Sequence, residues 1–122
     1  MTAFRYIVSD VGEAVDFYTG VLAFNLDQRF GEAMAIVRRG GVTLWLAGPA
    51  ASASRPMPDG RVPEPGGWNR IVVEVEDLAP QVERLQAAGV RFRSDIITGP
   101  GGSQVLVEDP AGNPVELFQA RG

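Results

Sequence analysis

Apolar and polar residues along the first half of the chain change from strand-like alternation to helical spacing and back again. Residues 3–10 (AFRYIVSD) form a short β-prone run. The residues after it carry apolar side chains on one helical face: Ala14, Phe17, Tyr18, Val21 and Leu22. Asp10 and Glu13 have the spacing of a capping box, which predicts a helix that begins after Asp10.

The rest of the first half predicts strands and then a long irregular segment. Residues 33–41 and 42–48 have the composition of two strands joined by a tight Gly-Gly turn, and residues 25–30 allow one more strand. Pro, Gly, Ala and Ser dominate residues 48–67, so no regular element is predicted there. A loop of that length in a small domain is uncommon and usually serves as a linker, a lid or a binding loop.

The second half opens with the same pattern as the first. Residues 69–78 match residues 2–11 at a constant offset of 67, which aligns Asp10 with Asp77 and Val11 with Leu78. A second helix is predicted over residues 78–89, with Gly89 as its C-terminal stop. Its apolar face consists of Leu78, Val82 and Leu85.

Strands again follow the helix. They are predicted at residues 90–97, 102–109 and 113–120, with turns at residues 99–102 (GPGG) and 109–113 (DPAGN). Late in the two halves, GVTLWL (41–46) matches GNPVEL (112–117), which places Trp45 opposite Glu116. The chain is therefore interpreted as a duplication of a βαβββ unit.

Composition narrows the chemistry. With 122 residues, 45% of them hydrophobic, the chain has the size of one ordinary domain. A net charge of −4 argues against a nucleic-acid partner. The chain has no run of about 20 apolar residues that would span a membrane, and its N-terminus lacks the layout of a signal peptide, so a cytoplasmic location is predicted. All eleven basic residues are arginine, and histidine and cysteine are absent, which leaves carboxylates, tyrosines, hydroxyls and arginines for any catalysis.

The duplicated units, each with a V-x-D segment before its helix, and the ending VEDPAGNPVELFQ resemble the vicinal oxygen chelate superfamily. That superfamily includes glyoxalase I, bleomycin-resistance proteins and extradiol dioxygenases. The resemblance implies an α+β fold in which two βαβββ modules form a curled mixed sheet around a cavity. The modules are expected at residues 1–48 and 68–122, with residues 49–67 as the connecting loop. It also implies a homodimer.

The metal-ligand positions of the superfamily fall on Ala3, Trp45, Arg70 and Glu116, of which only Glu116 carries a ligating group. One ligand cannot hold a divalent ion, and a guanidinium repels one. No metal and no cofactor are therefore predicted. A carboxylate in the apolar run around Glu116 needs a partner, and we expect an ion pair with Arg70 in place of the metal.

The leading interpretation is a metal-free small-molecule-binding protein. Drug-resistance members of the superfamily sequester a flat or cationic antibiotic in a cleft between two chains. The expected ligand-binding residues are Arg5, Trp45, Trp68, Arg70 and Glu116. Each has a plainer alternative: Trp45 as core, Trp68 as an anchor for the long loop, Arg5 as a solvated side chain, and the ion pair as a bridge that touches no ligand.

Two other functions stay open. In an enzyme of the lyase or isomerase type, Glu116 would be the general base and Arg70 an electrostatic stabiliser. A neighbouring guanidinium opposes proton uptake by a carboxylate, which ranks this interpretation second. A structural or regulatory module that contacts its partner through residues 48–67 is the third. Glyoxalase I activity is not expected, and the sequence leaves open whether the cavity lies within one chain or across a dimer.

Overall fold

The fold is described from a computed structural model, which defines residues 1–121. The chain forms two compact units, Met1–Gly66 and Gly67–Gly122. Within the described residues there are two α-helices and nine strands, and the strands form two mixed sheets. The predicted α+β class is confirmed. Neither of the described helices is long and apolar enough to cross a membrane.

The first unit pairs one helix with a four-stranded sheet. Its elements are β1 (Phe4–Ile7), α1 (Val11–Gly20), β2 (Asn25–Phe30), β3 (Met34–Arg39) and β4 (Val42–Ala47). The strand order is β1-β4-β3-β2, with β1 parallel to β4 and the other pairs antiparallel. Gly40, at φ +55°, makes the predicted tight turn between β3 and β4, in a conformation that glycine adopts readily.

Helix α1 begins as predicted and covers one face of this sheet. The backbone N–H of Glu13 donates to Asp10 Oδ1 at 2.9 Å, the N-cap bond of the capping box. Tyr18 is fully buried, and its ring packs edge-on against Tyr6 of β1 at 6.4 Å between centroids. Because side chains alternate along a strand, Arg5 and its neighbour in β4, Trp45, lie on the face turned away from α1.

The second unit repeats this plan with one irregular strand. Its elements are β5 (Ile71–Glu74), α2 (Leu78–Ala87), β6 (Arg91–Phe92), β7 (Ile97–Gly99), β8 (Gly102–Glu108) and β9 (Pro114–Ala120). The strand order is β5-β9-β8-β6, with β7 paired to β8. The two helices span 10 residues each, at the sequence offset of 67. Their N-caps differ, since Asp77 makes no side-chain cap bond and the N–H of Leu78 donates to Gln119 Oε1 at 2.7 Å.

The prediction of one strand over residues 90–97 is wrong. The structure has strand at Arg91–Phe92 and again at Ile97–Gly99. Between them the N–H of Arg93 donates to the carbonyl oxygen of Leu106 at 2.8 Å, but the N–H of Leu106 donates to Ser94 Oγ at 3.0 Å. A serine hydroxyl thus replaces a backbone carbonyl, and the strand is interrupted.

The segment 48–67 contains one regular element, against the prediction of none. Ser52–Ser54 forms a 3₁₀ helix. Its start is tied to Gly48, whose carbonyl oxygen accepts from the N–H of Ala51 at 3.0 Å and from Ser54 Oγ at 2.7 Å. These local bonds close a turn that the composition of the segment alone did not indicate.

Candidate functional site

The strand registers identify equivalent positions in the two units. Arg5 lies beside Trp45 in the parallel pair β1–β4, and Val72 lies beside Glu116 in the parallel pair β5–β9. Ala3 and Arg70 each come directly before the first strand of their unit. Arg5 and Val72 are equivalent at the offset of 67, so their strand neighbours, Trp45 and Glu116, occupy equivalent positions, as predicted.

Glu116 and Arg70 form the expected ion pair in the second unit. Arg70 donates from Nε and Nη2 to Glu116 Oε1, at 3.0 and 2.8 Å. The side chains are 26% and 10% exposed, respectively, so the pair is partly shielded from water. Arg70 also donates from Nη1 to the carbonyl oxygen of Trp68 at 3.2 Å, which fixes the orientation of the guanidinium.

The second oxygen of Glu116 is open. Both bonds from Arg70 end on Oε1, and Oε2 accepts no hydrogen bond within residues 1–121. Every buried side-chain nitrogen or oxygen of the described residues has a partner, so Oε2 keeps contact with solvent. The site can therefore accept a hydrogen bond or a cation at Oε2 while Arg70 neutralises the carboxylate.

Arg93 holds Trp68 beside this pair. Its guanidinium lies over the indole, with Cζ 4.7 Å from the ring centroid. It donates from Nε to Glu108 Oε2 at 2.7 Å, from Nη1 to the carbonyl oxygen of Gly67 at 2.6 Å and from Nη2 to that of Gly112 at 2.8 Å. Trp68 is nevertheless 68% exposed. Arg93 thus orients a solvent-exposed indole ring on the residue whose backbone carbonyl oxygen accepts from Arg70.

Arg5 and Trp45 form a separate contact in the first unit. The Arg5 Cζ lies 5.0 Å from the centroid of the Trp45 ring, within the range of a cation–π interaction. Arg5 is exposed and Trp45 is half-buried. Within the described residues no carboxylate pairs with Arg5, so its charge is free to meet an anion.

Comparison with known proteins identifies the family. The profile described as "Glyoxalase/Bleomycin resistance protein/Dioxygenase superfamily" matches residues 1–117. The chain belongs to this superfamily. The resemblance inferred from the motifs and the duplication is confirmed. No curated protein matches the chain significantly.

Solved structures of the superfamily share the fold over nearly the whole chain. TnmS3, an antibiotic binding protein from Streptomyces sp. CB03234, is 25% identical, with a TM-score of 0.70 over 99% of this chain and 97% of its own. Lactoylglutathione lyase from Agrobacterium tumefaciens is 21% identical, with a TM-score of 0.73 over 98% and 92%. The fosfomycin resistance protein FosX from Listeria monocytogenes is 14% identical, with a TM-score of 0.74 over 99% and 93%. The last two show the fold alone.

The side chains present do not fit the divalent metal that many members of the superfamily use. Among residues 1–121 no three His, Cys, Asp or Glu side chains are grouped so as to hold an ion. Of the four residues that the resemblance aligns with metal ligands, only Glu116 has a ligating side chain, and its Oε1 is paired with Arg70. A structural or catalytic metal needs three or four protein ligands at one point.

The structure brings the predicted site residues together in two groups. Arg5 and Trp45 are in contact in the first unit, and Trp68, Arg70 and Glu116 are linked in the second. Sequence analysis missed Arg93 and Glu108. Their signal was present, because two arginines alternate in VRFRSD and a lone acid lies on the neighbouring strand, but that pattern is common on exposed sheets.

Proposed function

We propose that this chain is a small-molecule-binding protein that works without a metal and sequesters a flat or cationic drug-like compound. The observation that carries the proposal is the open oxygen of Glu116, whose partner Arg70 is hydrogen-bonded to the backbone of Trp68, a residue with an exposed indole. Oε2 offers a charged acceptor, and Trp68 offers a flat apolar face within the same unit. A planar cation satisfies both groups, since aromatic faces attract cations and flat rings stack.

The comparison with TnmS3 supports binding rather than catalysis. TnmS3 is described as an antibiotic binding protein, and the match covers 99% of this chain at 25% identity. The second support is the donor set: the superfamily's metal positions hold Ala3, Trp45, Arg70 and Glu116 in this chain. Arg70 and Glu116 are hydrogen-bonded to each other, so the carboxylate is neutralised without an ion.

A titration with 9-aminoacridine, a flat cation, tests the proposed function. Protein stripped of metal with a chelator is expected to bind it with 1:1 stoichiometry in isothermal titration calorimetry. Glu116→Gln keeps the size of the side chain and removes its charge, and we expect its affinity to fall about 10- to 100-fold, as for the loss of one charged hydrogen bond. Glu76→Gln, at an exposed position of the same unit, is the matched control.

Metal content separates this proposal from a metal-dependent activity. Elemental analysis follows exposure of the protein to nickel, zinc, manganese and iron, and less than one ion per chain is expected in every case. One tightly held ion per chain, with 9-aminoacridine binding only in its presence, would overturn the metal-free proposal.

The open oxygen also favours a second candidate, an enzyme of the lyase or isomerase type. In such an enzyme Glu116 Oε2 would take a proton, and Arg70 would stabilise the negative charge that develops on a substrate. Proton NMR of the ligand after long incubation separates the two candidates. Recovery of unchanged ligand supports sequestration, whereas conversion that is lost in Glu116→Gln supports the enzyme.

The chain is further proposed to act as a homodimer. Its edge strands β1 and β5 carry Phe4 and Val72, which are 53% and 50% exposed, and apolar side chains at sheet edges favour pairing with another chain. Light scattering after gel filtration is expected to give twice the 13.1 kDa mass of one chain. A single-chain mass across the micromolar range would contradict dimerisation.

A further inference from the structure

The first unit contains an apolar pocket on the face of the sheet turned away from α1. Its volume is about 280 Å³. The strands contribute Arg5, Phe30, Met34 and Ala47, and the turn at residues 50–53 closes one side. Drug-sized ligands occupy pockets of roughly 300–1,000 Å³, so this one suits a molecule of one or two rings. We call it the Arg5 pocket.

The register of the sheet explains why these side chains meet. Phe30 lies beside Met34 across β2 and β3, and Met34 lies beside Ala47 across β3 and β4. Ile7 of β1 lies beside Ala47, and Arg5, two residues before Ile7, lies on the same face of the sheet. Small, flexible and aromatic side chains therefore stand in a row across one end of the sheet. Ala47 leaves the space that a larger residue would fill.

The turn that closes the pocket is held in place by hydrogen bonds. The N–H of Gly48 donates to the carbonyl oxygen of Ala33 at 2.8 Å, and the carbonyl oxygen of Gly48 accepts from Ala51 and Ser54. A Cβ at Gly48 would lie 2.7 Å from Val11 Cγ2, so glycine lets the turn lie against α1. The wall of the pocket is therefore formed before any ligand binds, which lowers the entropic cost of binding.

Arg5 is the one ionisable residue among those that line the pocket. Trp45 lies 5.0 Å from its guanidinium carbon and restrains it, and no carboxylate of the described residues neutralises it. A guanidinium in contact with an apolar wall recognises a carboxylate with two parallel hydrogen bonds. The same charge disfavours a cation in this pocket.

We infer that the Arg5 pocket binds a small aromatic carboxylate, with its rings among Phe30, Met34 and Ala47 and its carboxylate on Arg5. This rests on the proposed function, because it gives that binding protein a ligand class for its first unit. It differs from the Glu116 site of the second unit, whose open oxygen favours a cation.

Three probes with one naphthalene ring system and different charges test the inference. Calorimetry at low ionic strength is expected to show 2-naphthoate binding at least 10-fold more tightly than the neutral 2-naphthamide. 2-Naphthylmethylamine, the cation, is expected to bind more weakly than the amide. In Arg5→Gln the affinity for 2-naphthoate should fall to that for the amide, whereas Arg55→Gln, at an exposed arginine of the same unit, should leave the 10-fold preference intact.

A second variant locates the binding and does not depend on charge. Ala53→Leu places a larger side chain in the wall of the pocket, and it should weaken binding of the acid and the amide alike. Quenching of Trp45 fluorescence, followed in a Trp68→Phe background, reports on the same unit.

The results separate this inference from the proposed function. Equal affinities for 2-naphthoate and 2-naphthamide, or an unchanged preference in Arg5→Gln, would overturn the inference and leave the 9-aminoacridine result standing. If the unaltered protein binds 2-naphthoate but not 9-aminoacridine, the proposed sequestration of a cation is overturned, and the inference about the Arg5 pocket stands.

Discussion

Replacing Asp109 with alanine is expected to lower the free energy of unfolding by about 3–5 kcal/mol. Asp109 is fully buried at the end of β8. Its Oδ1 accepts from the N–H groups of Ala111 and Asn113, both at 2.9 Å, and its Oδ2 accepts from Asn113 Nδ2 at 3.0 Å. Alanine leaves these three donors without their acceptor in a shielded turn. Urea unfolding followed by circular dichroism measures the loss.

Two variants show whether the loss comes from these bonds. Asp109→Asn keeps an oxygen for the two backbone donors but turns one amide toward another, so an intermediate loss of about 1–2 kcal/mol is expected. Asp95→Ala removes an exposed aspartate of the same unit and should change stability by less than about 0.5 kcal/mol. If Asp109→Ala were as mild as Asp95→Ala, the turn would hold without its carboxylate.

The DPAGN segment, in the most specific part of the superfamily motif, thus has a structural role that does not depend on ligand binding or catalysis. The DPAGN turn joins β8 to β9, and β9 carries Glu116. Gly112, in that turn at φ +93°, supplies a carbonyl oxygen to Arg93, which holds Trp68. The DPAGN turn therefore also supports Arg93, which orients Trp68 at the candidate site.

Much of the fold could be predicted from the duplication. The offset of 67 relates the observed first residues of the helices, Val11 and Leu78, and also their last residues, Gly20 and Ala87. The predicted start of the second helix is confirmed, but the helix ends at Ala87, before the predicted end at residue 89. The offset works because the apolar spacing that defines a helix is local in the sequence. The match of Trp45 with Glu116 held for the same reason, since register follows from the short turns that join the strands.

Other features depend on atoms distant in sequence and could not be predicted. The interruption at Ser94 arises because its hydroxyl meets the N–H of Leu106 on another strand. Arg93 matters because it contacts Gly67, Glu108 and Gly112, which lie on three separate segments. The Arg5 pocket exists because a turn after β4 folds back beside Phe30 and Met34. None of these contacts has a local signature specific enough to predict it.

Removing the charge of Arg70 is expected to destabilise the protein strongly. In Arg70→Met, Glu116 keeps its charge at a position where 10% of its side chain is exposed, without the two bonds it now accepts. An unpaired buried carboxylate costs about 3–5 kcal/mol, and the partial exposure of this pair lowers the expected loss to about 2–3 kcal/mol. The exposed pair Arg61–Asp59 is the control, and Arg61→Met should cost less than about 0.5 kcal/mol.

The double variant Arg70→Met/Glu116→Leu decides between a structural and a ligand-binding role for the ion pair. Replacing both members of a shielded pair with apolar residues is often neutral for stability, so we expect the double variant to unfold within about 1 kcal/mol of the unaltered protein. Binding of 9-aminoacridine should nevertheless be lost, because the open oxygen of Glu116 is gone. A stable double variant that still binds 9-aminoacridine would show that Glu116 takes no part in binding. If the double variant is unstable and Glu116→Gln still binds 9-aminoacridine, the ion pair serves the fold alone. If the ion pair serves ligand binding, the double variant should regain the stability lost in Arg70→Met but should not bind 9-aminoacridine.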